Sequence, residues 1–172
     1  MSTTAPALSF RYERGGIHLL NWGLWLDPHH RVRCSEAAFV SHAHSDHTGP
    51  HHEVILSHAT QKLMRARVSG KRTEHVFDFG KPRPWGPGTM TLHPAGHILG
   101  SAMVRLEAEG QSLLYTGDFK LRRGFASEGC EPHPSDILIM ETAFGRPRYV
   151  FPPTVQVIAA LVAVLPKDVV CG

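Results

Sequence analysis

Cysteine, charge and long apolar runs are all scarce in this chain. Its three cysteines, Cys34, Cys130 and Cys171, are odd in number and show no C-x-x-C spacing. That pattern excludes a disulfide-stapled secreted scaffold and points to free thiols in a reducing, cytoplasmic compartment. Charged residues make up only 19% of the chain against 42% hydrophobic ones, a balance that folds instead of staying disordered. The longest apolar run, Val157 to Leu165, falls well short of the roughly 18 residues that suggest a membrane span, so no membrane association is expected. The opening stretch MSTTAPALSFRYERGG lacks the basic start and apolar middle of a secretion signal. There is no G-x-S-x-G elbow, no G-x-x-x-x-G-K-[ST] loop and no G-x-G-x-x-G turn. These absences remove the serine-hydrolase, nucleotide-phosphate and dinucleotide readings, and neither Cys34 nor Cys130 has the setting of a nucleophile.

What is abundant is histidine, with 13 copies in 172 residues. The length corresponds to about one domain. Short apolar and β-branched runs predict strands at Ile17 to Leu20, Leu24 to Leu26, Ala37 to Val40, Val54 to Leu56, Thr89 to Leu92, Ala102 to Leu106 and Ser112 to Thr116. A surface helix is predicted over Ala59 to Val68, with Ala59, Leu63 and Ala66 inward and Lys62 and Arg65, with Arg67, outward. Lys81 to Gly88 reads as a Pro/Gly-rich loop. Asp136 to Met140 reads as a strand buried on both faces, followed by a helix from about Thr154 through Leu165. Asp168 to Cys171 then begins another strand, so the chain is expected to be incomplete at its C-terminus.

The histidines are not scattered. FVSHAHSDHTG places His42, His44, Asp46 and His47 directly after a strand, where four metal-capable side chains in one short turn have no packing role. Imidazole with carboxylate suits zinc, and also manganese or iron. Residues two apart in extended chain point the same way, so His42 and His44 can converge on one ion, while Asp46 and His47, past the bend, can reach a second. His97 in HPAGHILGS and Asp118 in LLYTGDF also follow strands. Donors at several strand ends along one edge of a sheet sandwich can build a single pocket. The two oxygens of Asp118 could bridge two ions.

The ordered set of Asp27 (in LWLDP), His42-x-His44-x-Asp46-His47, His97 and Asp118 resembles the metallo-β-lactamase superfamily. The block ILIMETAFG, with Glu141, looks like its nucleic-acid-processing β-CASP branch. HPAGHILGSAMVRLE, TGDFK and ETAFGRPRY are most similar to bacterial DNA ligase-associated exonuclease-like and mRNA 3′-end processing factor-like proteins. The resemblance runs from about Phe10 to Gly172. It implies an α/β fold, the αβ/βα sandwich of that superfamily, of which this chain is the N-terminal half. Residues 1–150 would form the metal-binding domain, and 151–172 would lead into a β-CASP cap. His42, His44 and His97 would hold one divalent cation, zinc first and manganese second, and Asp46 and His47 another, with Asp118 bridging and Asp27 steadying the loop through hydrogen bonds.

Phosphodiester hydrolysis is the implied chemistry, with Asp46 positioning the attacking water and Glu141 orienting a histidine that protonates the leaving oxygen. That histidine and one completing the second metal site are expected beyond this chain, since His133 precedes Glu141 and is out of order. The 172 residues alone are therefore expected to be inactive. Lys120, Arg122 and Arg123 follow Asp118, and Arg146 and Arg148 follow Glu141, as candidate phosphate contacts. The implied partner is DNA or RNA, with functional association with a DNA ligase. A metallo-hydrolase acting on a thioester or other small substrate, and a non-catalytic metal-binding remnant or subunit, remain the alternatives.

Overall fold

The computed structural model describes residues 6–164, and the chain divides into two compact units, Met1–Glu141 and Thr142–Gly172. In the first unit, strands β1 (Arg11–Glu13), β2 (Gly16–Leu19), β3 (Leu24–Leu26), β4 (Ala37–Phe39), β5 (Glu53–Ser57) and β6 (Thr73–Phe77) form one sheet in chain order. A second sheet is built from β7 (Arg83–Trp85), β8 (Gly88–Pro94), β9 (Ala102–Ala108), β10 (Gln111–Tyr115) and β11 (Ile137–Ile139), ordered β11-β10-β9-β8-β7. Helix α1 (His58–Arg67) lies in this unit and α2 (Thr154–Val164) in the other. Among the described residues no helix is long and apolar enough to cross a membrane.

The two sheets share one core because their strands alternate. Leu24, Leu26, Phe39 and Ile55 of the first sheet pack with Met90, Leu92, Val104, Leu106 and Leu113 of the second. The intervening residues face outward, as period-two alternation requires, so Val54 and Leu56 meet Met64 of α1. Ser57 starts that helix, its hydroxyl accepting from the Thr60 backbone N–H at 3.2 Å, a cap worth about 1 kcal/mol. On the outer face of the second sheet, Met103 and Leu114 are covered by Ala95, Phe119 and Cys130.

Strand direction decides where the connecting turns emerge. β3, β4, β5 and β6 run parallel. In the second sheet β8 and β10 are each antiparallel to β9, and β11 is parallel to β10. The turns after β8, β10 and β11 thus leave by one edge of that sheet, and those after β3 and β4 by one edge of the other.

Several expectations need correction. Asp136 to Met140 is not buried on both faces. Its central strand is the outermost of its sheet, and Leu138 and Met140 are 55% and 45% exposed while Ile137 and Ile139 pack on the core. The buried face of α1 centres on Thr60 and Met64, and Ala66 is exposed. The loop predicted over Lys81 to Gly88 contains β7, an edge strand that accepts Pro84 because an edge has an unpaired side. β1 and β6 had no expected counterpart. Both are short and rich in polar residues, as sheet edges commonly are. The helix from Thr154 is present, with no buried side chain. Leu165, Asp168 and Cys171 lie outside the described residues.

Candidate metal centre

Five strand ends supply the site. Asp27 follows β3, the turn from His42 to His47 follows β4, His97 follows β8, Asp118 follows β10 and Glu141 follows β11. Glycine permits a close approach of the turns after β4 and β10. Gly117 has φ +53°, and a Cβ there would lie 2.6 Å from the Ser41 Cβ. Residue 117 must lack a side chain for Asp118 to sit against the β4 turn.

The donors then fall into two groups. His42, His44, His97 and Asp118 each place one donor atom within 4.8 Å of the others. His42 Nε2 is 2.9 Å from His44 Nδ1, and His97 Nε2 is 3.3 Å from the same atom. Asp118 Oδ2 lies 3.8 Å from His42 Nε2 and 3.7 Å from His97 Nε2. Its other oxygen, Oδ1, lies 3.8 Å from His47 Nε2, which is 3.6 Å from Asp46 Oδ2. One carboxylate thus presents an oxygen to each group.

Behind the donors runs a buried hydrogen-bond network. Asp27 has φ +42°, a left-handed conformation that aspartate tolerates better than most residues. Its Oδ1 accepts the Ser41 N–H at 2.8 Å, and its Oδ2 accepts the Tyr115 hydroxyl at 2.9 Å. Nδ1 of His47 lies 3.0 Å from Oδ2, which leaves Nε2 facing Asp46 and Asp118. The Ser41 hydroxyl lies 2.9 Å from His42 Nδ1 and so orients that ring. Ser41 and Tyr115 were not among the sequence candidates. The only signal for Tyr115 was its place in β10, where alternation from Leu113 turns it inward.

Electrostatics differ sharply within the cluster. Burial, reinforced by the charge of His47, pushes His42 down to about 3 and keeps it neutral, as a ligand must be. Burial also lowers His97, partly offset by Asp118. Burial opposes charge on His47 as well, yet its hydrogen bond and charge interaction with Asp27, with help from Asp118 and Asp46, raise its pKa. Asp27 is driven upward by burial but ends below its ordinary value because His47 and Ser41 stabilise the anion. Burial and then Asp27 push the Tyr115 hydroxyl up, so it remains a donor. The charge of Glu141 reaches both His97 and Tyr115.

The remaining candidates are exposed. Asp46 is exposed, with its side chain 69% accessible. Lys120, Arg122 and Arg123 are exposed on the loop after Asp118. Arg146 and Arg148 belong to the second unit, where Arg148 donates to the Tyr149 hydroxyl at 3.1 Å.

The donor set suits divalent cations of the zinc and manganese type, since neutral imidazoles with a shared carboxylate match their ligand preferences. A two-sheet sandwich gathering such donors at its strand ends defines a metal-centre class of protein. No protein-family model matches the chain. It is 54% identical over 145 residues to a protein of Opitutus terrae named "Probable DNA ligase", covering 83% of this chain and 14% of that protein. It is 27% identical over 141 residues to the cleavage and polyadenylation specificity factor 73 of Drosophila melanogaster, covering 62% of this chain and 21% of that factor. A solved metallo-β-lactamase from Cronobacter sakazakii is similar over 62% of this chain and 55% of its own, with a TM-score of 0.47 and 16% identity. The relatives that the chain matches support the metallo-β-lactamase/β-CASP nuclease superfamily. The chain spans less than a quarter of the length of either named relative.

Proposed function

We propose that this chain is part of a metal-dependent phosphodiester hydrolase, a nuclease with exonuclease action on DNA, that the 172 residues are inactive without the rest of that enzyme, and that the site takes two divalent cations, zinc first and manganese second. The observation that carries this reading is Asp118, whose two oxygens face two separate donor groups. His42, His44 and His97 would hold one cation with Asp118 Oδ2, and His47 and Asp46 would hold the other with Asp118 Oδ1. Bound there, such cations supply Lewis acidity toward a phosphodiester and its attacking water.

The chain's own residues do the rest. Asp27 keeps the Nδ1 proton on His47, and so fixes Nε2 as the free donor. Asp46, exposed and next to His47, positions a water molecule and accepts its proton. Glu141, at the same edge, orients the group that protonates the departing sugar oxygen. Lys120, Arg122, Arg123, Arg146 and Arg148 neutralise backbone phosphates without reading sequence. The names of the relatives, a DNA ligase and a cleavage and polyadenylation factor, support a nucleic-acid substrate and functional association with a ligase.

The test is cleavage of end-labelled DNA and RNA by the natural protein, with zinc or manganese and with chelator. Chelator-sensitive release of mononucleotides from a DNA end is the expected result. A metal-loaded protein that cleaves neither nucleic acid but turns over a thioester overturns the reading.

A further inference from the structure

Beyond the candidate metal-binding turn the chain continues through Gly49 and Pro50 to His51, which lines a cavity that contains none of the candidate metal donors. This cavity, of about 160 Å³, is bordered by Arg31, His51, His52, Ser69, Lys71 and Arg72, and no carboxylate is among the residues that line it. Three of these side chains carry permanent positive charge. Glu74, in β6 just beyond the loop that carries Lys71 and Arg72, is already committed. Its Oε2 takes Arg65 at 2.6 Å and Gln61 at 2.7 Å, and its Oε1 lies 3.4 Å from Arg72 Nε. Arg31 donates to the ring of His52 and, like Lys71, has no ion-pair partner among the described residues. The wall of the cavity therefore carries a net excess of positive charge.

The second observation is His51 itself. It is 3% exposed, and neither Nδ1 nor Nε2 has a hydrogen-bond partner among the described residues. A buried ring with both nitrogens unpartnered is an uncommon and unfavourable arrangement that calls for a specific explanation. Its environment also reads as positive. Burial first, then the charges of His30 and Arg72 against that of Asp27, push it down to about 4. Arg72 is held in place by its bonds to the Val68 carbonyl and Glu74, which use two of its five N–H groups and leave three to donate.

We propose that this cavity is a phosphate-binding site, taking inorganic phosphate or the terminal phosphate of a nucleic-acid strand, with Arg31, Lys71 and Arg72 supplying charge and His51 a buried N–H. A phosphate oxyanion matches what the residues offer. It accepts several hydrogen bonds at once, it pairs with guanidinium through two parallel bonds, and it brings the negative charge that the wall lacks. The site stands on these residues and does not depend on the nuclease reading.

Calorimetric titration of the metal-free natural protein, in chelator, separates the two. Inorganic phosphate is expected to bind saturably where chloride at the same ionic strength does not. The double variant Arg31→Ala/Lys71→Ala, altered on the rim where folding is least at risk, is expected to lose affinity by about tenfold or more. His51→Phe keeps a buried ring, removes both unpartnered nitrogens, and is expected to weaken phosphate by a similar factor while leaving thermal stability equal or higher. A 5′-phosphorylated oligonucleotide compared with its 5′-hydroxyl twin identifies the source. Tighter binding of the phosphorylated strand, lost in the same variants, supports a strand terminus, and equal binding of the two supports free phosphate. No saturable phosphate binding, or binding unchanged in both variants, overturns the proposal. Because no cleavage is measured, failure of the nuclease reading would leave this result untouched.

Discussion

His47 and His51 stand four positions apart on the same connection, both are buried, and their acid–base behaviour goes in opposite directions. Burial disfavours the imidazolium at each. His47 overcomes it because Asp27 lies 3.0 Å from Nδ1, whereas His51 has no hydrogen-bond partner among the described residues. His93 resembles His51. It is 6% exposed, and burial with the nearby His133 pushes it down to about 4. The lesson is that burial alone makes histidine a neutral group, and one aligned carboxylate reverses the sign.

Acid gives the largest expected break in that contrast. His51 and His93 are neutral when folded but free to take a proton when unfolded. The unfolded state therefore binds more protons between the ordinary histidine value of 6.5 and the folded value of about 4. Stability is fully present above that window, is lost as pH falls through it, and is flat below it with respect to these two groups. The loss is on the order of 3 kcal/mol for each histidine. Urea unfolding at pH 7 and pH 4 checks this, and His51→Phe should remove its share.

Asp27→Ala is the next largest. It converts His47 into a second His51 and strips the Ser41 N–H and the Tyr115 hydroxyl of their acceptor. The expected cost is about 3 kcal/mol in chemical denaturation. The pKa of His47 should fall below its ordinary value when followed by NMR.

Gly117→Ala attacks the other support of His47, the approach of Asp118. Its Cβ would meet Ser41 and its φ of +53° is strained for alanine. A loss of about 2 kcal/mol is expected, with weaker zinc retention in equilibrium dialysis. Tyr115→Phe is the smallest change, removing one hydrogen bond to Asp27 for about 1 kcal/mol. An unchanged unfolding midpoint in that variant would show that Asp27 does not need the hydroxyl.

The donors were readable in the sequence because they sit at strand ends. The apolar run from Ala37 ends in four polar, metal-capable side chains, and the runs before His97 and Asp118 end in the same way. Local pattern sufficed there. It did not suffice for Ser41 and Tyr115, whose roles arise from partners in other strands. Tyr115 meets Asp27 across 88 residues. Nor did it reveal β1, β6 and β7, since edge strands carry few apolar residues and tolerate proline. The burial of Asp136 to Met140 was misjudged for a related reason. An apolar composition shows what a strand can bury, but its place at the rim of the sheet leaves Leu138 and Met140 exposed. Arg67 had read as plain surface, yet its guanidinium donates to the Ala43 carbonyl at 2.7 Å and ties α1 to the donor turn.

The carboxylate of residue 118 is a rigid plane that turns about a single bond. Any rotation that carries one oxygen away from His42 and His97 must also swing its twin relative to His47. If the two donor groups each hold a cation as proposed, the two halves of that centre would be coupled through this one side chain.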